Sequence, residues 1–129
     1  MAGDRREVVH PDGMARPGGH YSHAVVGGGL VFVAGQLPIA PDGTKLADAP
    51  FEQQAAQTLA NVAAALRGAG SGIDKLVQVR VYLVDIADWA AFNAVYAAWV
   101  GETKPARAVV PVPLLHYGFR IEIEAVAVA

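Results

Sequence analysis

The segment Ile121-Glu122-Ile123-Glu124-Ala125-Val126-Ala127 alternates between residue classes at a period of two. Only an extended strand sends successive side chains to opposite faces, so this run demands a sheet with one dry face and one carrying two carboxylates. A second run, Lys75 to Val84, repeats the demand. Its odd positions Val77, Val79, Val81 and Leu83 are apolar, while Gln78, Arg80 and Tyr82 lie between them. Two such strands need a covering layer, and the remaining chain offers helices.

Phe51 to Ala69 places Ala55, Leu59, Val62, Leu66 and Ala69 at spacings of three and four, with Gly68 and Gly70 as the stop. Asp88 is expected as the N-cap of a second helix. There Trp89, Phe92, Tyr96 and Trp99 form a stripe packed on the sheet, and Gly101 ends it. Tyr21–Val26 and Leu30–Ala34 are β-rich runs joined by Gly27-Gly28-Gly29, a hairpin signal. Gly35 is expected to interrupt the second run before a loop at Pro38, Pro41, Asp42 and Gly43. Two more strands are expected near 106–112 and 119–128. The order β-β-α-β-α-β-β describes one α+β domain, assigned to 16–129, with two helices on one face of the sheet. Residues 1–17 read as loose chain, of which 1–15 are assigned as a flexible arm.

The uncovered face would carry Gln78, Arg80, Tyr82, Glu122 and Glu124 among apolar neighbours, too polar for a core and too apolar in places for plain surface. With a hydrophobic share of 53% and charged residues at 17%, self-association resolves the conflict. No window approaches the ~20 apolar residues of a spanning helix. The first seventeen residues have no apolar h-region, so the cytoplasm is expected, without membrane attachment. Zero cysteines exclude disulfides and a thiol nucleophile, and a net charge of −2 argues against nucleic acid as a partner.

The chemistry concentrates in two places. Arg107 follows the Pro105-Ala106 turn, and Glu122 lies on the alternating strand. If these two neighbouring segments meet at a pocket, the Arg fork can hold an anionic substrate and the Glu can direct a water. An ordinary solvated rim and a wet sheet face produce the same two residues. His20 and His23 stand three apart in a loop entering a strand and lack a third ligand, so no metal site is expected. His116 precedes the Glu122 strand and can line a cleft as a proton donor or sit in a surface turn. Lys45, Lys75 and Lys104 occupy polar loop or strand-start positions, which disfavours a lysine Schiff base.

Tyr21-Ser22-His23-Ala24, Val31 to Pro38, Gln53 to Asn61, Asn93-x-x-Tyr96, Pro105-Ala106-Arg107 and Ile121 to Ala127 resemble, in order and spacing, the blocks of the RidA/YjgF family. The resemblance runs from about Arg16 to the C-terminus. It implies a chorismate-mutase-like (YjgF-type) α+β fold with a mixed sheet, assembled as a homotrimer with clefts between subunits. It further implies hydrolysis of reactive enamines and imines, such as 2-aminoacrylate and 2-iminopropanoate, to a 2-oxo acid and ammonia, with no cofactor and no metal. On this resemblance Arg107 binds the substrate carboxylate and Glu122 directs water. Tyr21, Ala34, Gly35, Gln36, Asn93 and His116 complete the substrate-binding set. The chain departs from the usual blocks at His20, Ala34, Val109 and the Leu114-to-Phe119 turn, which marks a divergent member. A second reading keeps the fold and the carboxylate site but drops turnover: a trimeric small-carboxylate-binding, regulatory or chaperone-like module.

Overall fold

A computed structural model describes residues 6–129; the first five residues of the expected arm lie outside them. Six strands and two helices form: β1 (Glu7–Val9), β2 (Ala24–Gly27), β3 (Leu30–Gln36), α1 (Phe51–Gly68), β4 (Leu76–Leu83), α2 (Trp89–Val100), β5 (Ala106–Pro111) and β6 (Ile121–Val128). They make one sheet in the order β1-β2-β3-β6-β4-β5. The alternating C-terminal strand therefore lies inside it, antiparallel to both β3 and β4. Its dry face is buried throughout: Ile121, Ile123 and Ala127 are 0% exposed and Ala125 4%. Against it pack Val79, Val81 and Leu83 from β4, Val31 and Val33 from β3, and the α1 stripe Ala55, Leu59, Val62 and Leu66. Each large aliphatic side chain buried this way contributes about 1.5–3 kcal/mol against chain entropy.

Only β4 and β5 run parallel. A parallel pair cannot be closed by a hairpin, and α2 supplies the crossover. Two helices on one face of the sheet is thus the arrangement expected from the periodicities, and the mixed sheet is the one the resemblance implies, with several local differences. Glu7–Val9, inside the expected arm, pair with β2 because Val9 enters the core at 7% exposure. The strand expected from Tyr21 begins at Ala24. The strand expected to end at Ala34 continues through Gly35 to Gln36, past a register shift between Val33 and Gln36. On β4 the register slips between Leu76 and Gln78, which turns Val77 outward, 45% exposed, while the other odd positions stay in the core.

Asp88 precedes α2 without capping it. Its carboxylate instead accepts two 2.8 Å hydrogen bonds from Arg120 Nη2, a charge-assisted pair that outcompetes a single cap bond. The α2 stripe is graded. Phe92 and Tyr96 are buried and Trp99 partly so, but Trp89 is 42% exposed.

Three polar side chains on α1 are buried, and two of them hold loops. Gln54 Nε2 donates to the carbonyls of Ala47 and Ala49 at 3.2 and 3.0 Å, while its Oε1 accepts from Arg120 N–H at 3.0 Å. Asn61 Nδ2 donates to the carbonyls of Leu37 and Ile39, both at 2.9 Å. Thr58 closes on its own helix, donating to the Gln54 carbonyl. These bonds fix the loop after β3 that frames the site described below. Gln54→Leu keeps the volume but leaves three backbone groups without partners. We expect it to lower unfolding stability by roughly 2–4 kcal/mol, read as a fall in the urea midpoint at unchanged slope.

Candidate active site

Glu122 stands on the open face of β6, directly across from Tyr82 of β4. On its other side the β3 register shift brings Gly35 against it. A Cβ added at Gly35 would overlap Glu122 Oε2 and come within 3.1 Å of its carboxyl carbon. Glycine here is a matter of space, because bare backbone is the surface the carboxylate lies on. Glu124, one pleat along, is engaged: it accepts a short hydrogen bond from the Tyr82 hydroxyl and lies 4.0 Å from Arg80 Nη1. That bond pushes the Tyr82 phenol above its ordinary pKa. Glu122 has no hydrogen-bond or ion-pair partner among the described residues. Burial raises its pKa above the ordinary carboxylate value; nearby His116 pulls it down, and Glu124 pushes it up. A half-buried acid without a partner costs stability and is a recurrent mark of a functional site.

Glu122 opens onto a cavity of about 510 Å³ lined also by Tyr21, Ala34, Gly35 and His116. Five of the expected residues therefore meet in one cleft. His116 begins a short turn, His116–Gly118, in which Tyr117 holds φ 59°. That left-handed backbone is uncommon for a side chain of this size and aims a second aromatic at the cleft. Tyr21 is exposed and lies edge-on to His23, ring centroids 6.1 Å apart.

Gln36 is set back from the cleft. It is 3% exposed, and its Nε2 donates to the Ala34 carbonyl at 3.0 Å and to His23 Nδ1 at 3.2 Å. His23 Nε2 in turn donates to the Ala15 carbonyl at 2.7 Å. With both ring nitrogens occupied, His23 ties the loop before β2 to the β3 bulge behind the cleft.

Arg107 and Asn93 are together, but elsewhere. Arg107 Nη1 donates to Asn93 Oδ1 at 3.0 Å. The guanidinium carbon lies 4.9 Å from the Tyr96 ring centroid, 5.9 Å from Trp89 and 6.0 Å from Phe92. This aromatic setting holds a cation by its ring faces and leaves the rest of the fork uncommitted. Among the described residues it has no carboxylate partner. The Tyr96 hydroxyl beside it is buried with no partner, and burial pushes that phenol up.

The expectation that Arg107 and Glu122 stand on neighbouring segments of one pocket is overturned. β4 lies between their strands. Arg107 pairs with Val79, a helix-side core residue, whereas Glu122 pairs with Tyr82 on the open side. Within one chain the sheet separates cation from carboxylate. Three contributions were missed as well: Arg16, Lys45 and Tyr117 line the cleft. No local pattern marks them, because the loops that carry them are brought together only by the fold.

Fold and cleft define a class: a small α+β protein with an open cleft set against a carboxylate that has no partner among the described residues. The chain belongs to the Endoribonuclease L-PSP family, that of the RidA/YjgF proteins, whose model matches residues 13–129. It is 40% identical over 122 residues to a RutC family protein of Pyrococcus horikoshii, covering 95% of this chain and 97% of that one. RidA from the Antarctic bacterium Psychrobacter superposes with a TM-score of 0.90 at 33% identity, over 95% of this chain and 99% of that one. E. coli TdcF, solved with bound serine, gives 0.89 at 31% identity, over 95% and 98%. The YjgF-type α+β fold is thus the fold of this chain. No helix among the described residues is long and apolar enough to cross a membrane.

Gly35→Ala tests the close approach directly. We expect it to swing the Glu122 carboxylate toward solvent, so that its pKa relaxes downward toward the ordinary value of 4.5, as read by carboxyl NMR titration. The melting temperature should move by only a few degrees, since the displaced atoms end a flexible side chain.

Proposed function

We propose that the protein hydrolyses reactive imines and their enamine tautomers, of the 2-iminopropanoate and 2-aminoacrylate type, to 2-oxo acids and ammonia without a cofactor. The observation that carries this reading is Glu122: a half-buried carboxylate with a raised pKa, no partner among the described residues and a histidine beside it, open to a cleft. Arg107 supplies the complementary function from a second copy. Its guanidinium is oriented by Asn93 and the α2 aromatics on the opposite face of the sheet. A head-to-tail assembly brings the Arg107 face of one chain to the Glu122 cleft of the next, and such contacts close into rings. The ring of three implied by the family resemblance satisfies this.

In the assembled site the Arg107 fork clamps the substrate carboxylate and fixes the iminium carbon. Glu122 takes a proton from a water as its oxygen bonds to that carbon, and the C=N electron pair moves to nitrogen. That proton then passes to nitrogen, and the C–N bond breaks and ammonia leaves as Glu122 takes the remaining hydroxyl proton, giving the 2-oxo acid. An enamine enters after protonation at its terminal carbon. Little more is needed, because attack on an iminium carbon is intrinsically easy and acid–base help adds about 10²–10⁴-fold. The family description names an endoribonuclease, but a net charge of −2 provides no track for a polyanion. The serine held by TdcF favours one second reading, a binding module for small amino or carboxylic acids without turnover.

Ammonia and 2-oxo acid release from 2-iminopropanoate made in situ, read above the spontaneous background, separates these readings. Native protein should accelerate release, while Arg107→Ala and Glu122→Gln should each fall by at least about 10²-fold. Glu122→Gln that still binds ligand and still turns over would sink the hydrolase reading. Refolding the two inactive variants together should restore up to about a quarter of native activity, because half the clefts keep Glu122 and half of their partners keep Arg107.

The pH profile follows from the carboxylate. Glu122 must be ionised to act as a base, and its pKa is raised, so kcat/KM should fall on the acid side with a midpoint above 4.5. His116 lowers that pKa and Glu124 raises it. His116→Ala should therefore move the acid limb to higher pH, and Glu124→Gln to lower pH.

A further inference from the structure

The cleft wall carries two cations that the chemistry above does not use. Arg16, from the loop before β2, and Lys45, from the loop between β3 and α1, line the same cavity as Glu122, His116 and Tyr117. The Lys45 loop is an ordered hairpin: Ile39 and Lys45 form an antiparallel bridge, Leu46 N–H donates to the Pro38 carbonyl at 3.0 Å, and Ala40 N–H to the Thr44 carbonyl at 2.8 Å. Lys45 Nζ lies 4.9 Å from the centroid of the Tyr117 ring, which draws the ammonium toward the cleft. Neither cation has an ion-pair partner among the described residues.

The charged and titratable groups lining the cleft are thus Arg16, Lys45, His116, Glu122 and the phenols of Tyr21 and Tyr117, two positive charges against one carboxylate. A three-carbon imino acid has one carboxylate, and Arg107 of the second copy takes it. Both cations would then face nothing. The cleft of a single chain, about 510 Å³, is shared with the second copy that supplies Arg107. Glu122 is half-buried while Arg16 and Lys45 are exposed. The cations therefore stand outward of the reacting carbon, where the end of a longer side chain would reach.

We propose that this cleft selects imino acids bearing a second carboxylate on the side chain, which Lys45 and Arg16 hold while Arg107 of the neighbouring copy holds the first. The second anionic group of common α-amino acids is a carboxylate, so the class is the imines of acidic amino acids. Arg16 offers a fork and Lys45 a point charge, and together they satisfy both oxygens. This substrate class rests on the hydrolase reading of the same site.

The test compares imines generated in situ from glutamate and from alanine by amino-acid oxidases, with native protein, Lys45→Gln and Arg16→Gln. Both substituted residues are exposed, so the variants should fold. Native protein should favour the glutamate-derived imine. Each substitution should lower kcat/KM for it by about tenfold, the worth of one charge-assisted hydrogen bond, and leave the alanine-derived imine within about twofold. Equal loss on both imines, or no native preference, would overturn the proposal. Calorimetry with 2-oxoglutarate and 2-oxobutanoate reads the same preference without turnover. The 2-oxoglutarate should bind more tightly, with an advantage that shrinks in salt and in Lys45→Gln. Lys45-dependent binding of 2-oxoglutarate with neither imine turned over would remove the hydrolase reading and keep the ligand class. Turnover of both imines without selectivity would remove the ligand class and keep the hydrolase.

Discussion

Everything in this molecule hangs on β6 being hydrogen-bonded along both edges, to β3 and to β4. A strand in that position has no choice of register once one face is buried, because a slip of one residue would drive Glu122 and Glu124 into the core. Ile121, Ile123, Ala125 and Ala127 are locked under α1, and the carboxylates are thereby fixed on the opposite face. The same constraint sets the neighbours of each acid. Glu124 falls beside Tyr82 and Arg80 and is satisfied; Glu122 falls beside the bare backbone of Gly35 and is not. Two identical side chains two residues apart acquire different chemistry from their cross-strand partners alone.

The second consequence is the separation of charges. An Arg–Glu pair within one chain would neutralise itself and leave neither group for a ligand. Here β4 and the thickness of the sheet keep them apart. Burial raises the pKa of Glu122, while aromatic faces and one amide hold Arg107 with no counter-ion among the described residues. Both costs are met by the core beneath them, to which the strands contribute buried residues on alternate positions.

Much of this was legible beforehand. The helices were readable because Leu59, Val62 and Leu66 keep a 3.6-residue period, and β4 and β6 because their apolar residues keep a period of two. The misses share one cause. Val77 breaks its strand's alternation through a bulge, β1 forms because Val9 finds space in a core assembled from distant residues, and Asp88 abandons its cap for Arg120. In each case a partner far along the chain outbid a local preference worth about 1 kcal/mol. The cleft followed the same rule. Tyr21, Gly35, His116 and Glu122 could be named in advance, whereas Lys45, Arg16 and Tyr117 enter only through loops that nothing local brings together.

The sequence by itself determined the type of the main helices and strands and the face that β6 buries, since these depend on periods of two and 3.6. Only the tertiary structure decided that β4 runs between β5 and β6, that Arg107 and Glu122 consequently look in opposite directions, and that Gly35 leaves room for a carboxylate. Strand order and facing arise from contacts between residues far apart in the chain, and no local pattern encodes which distant strand will win an edge.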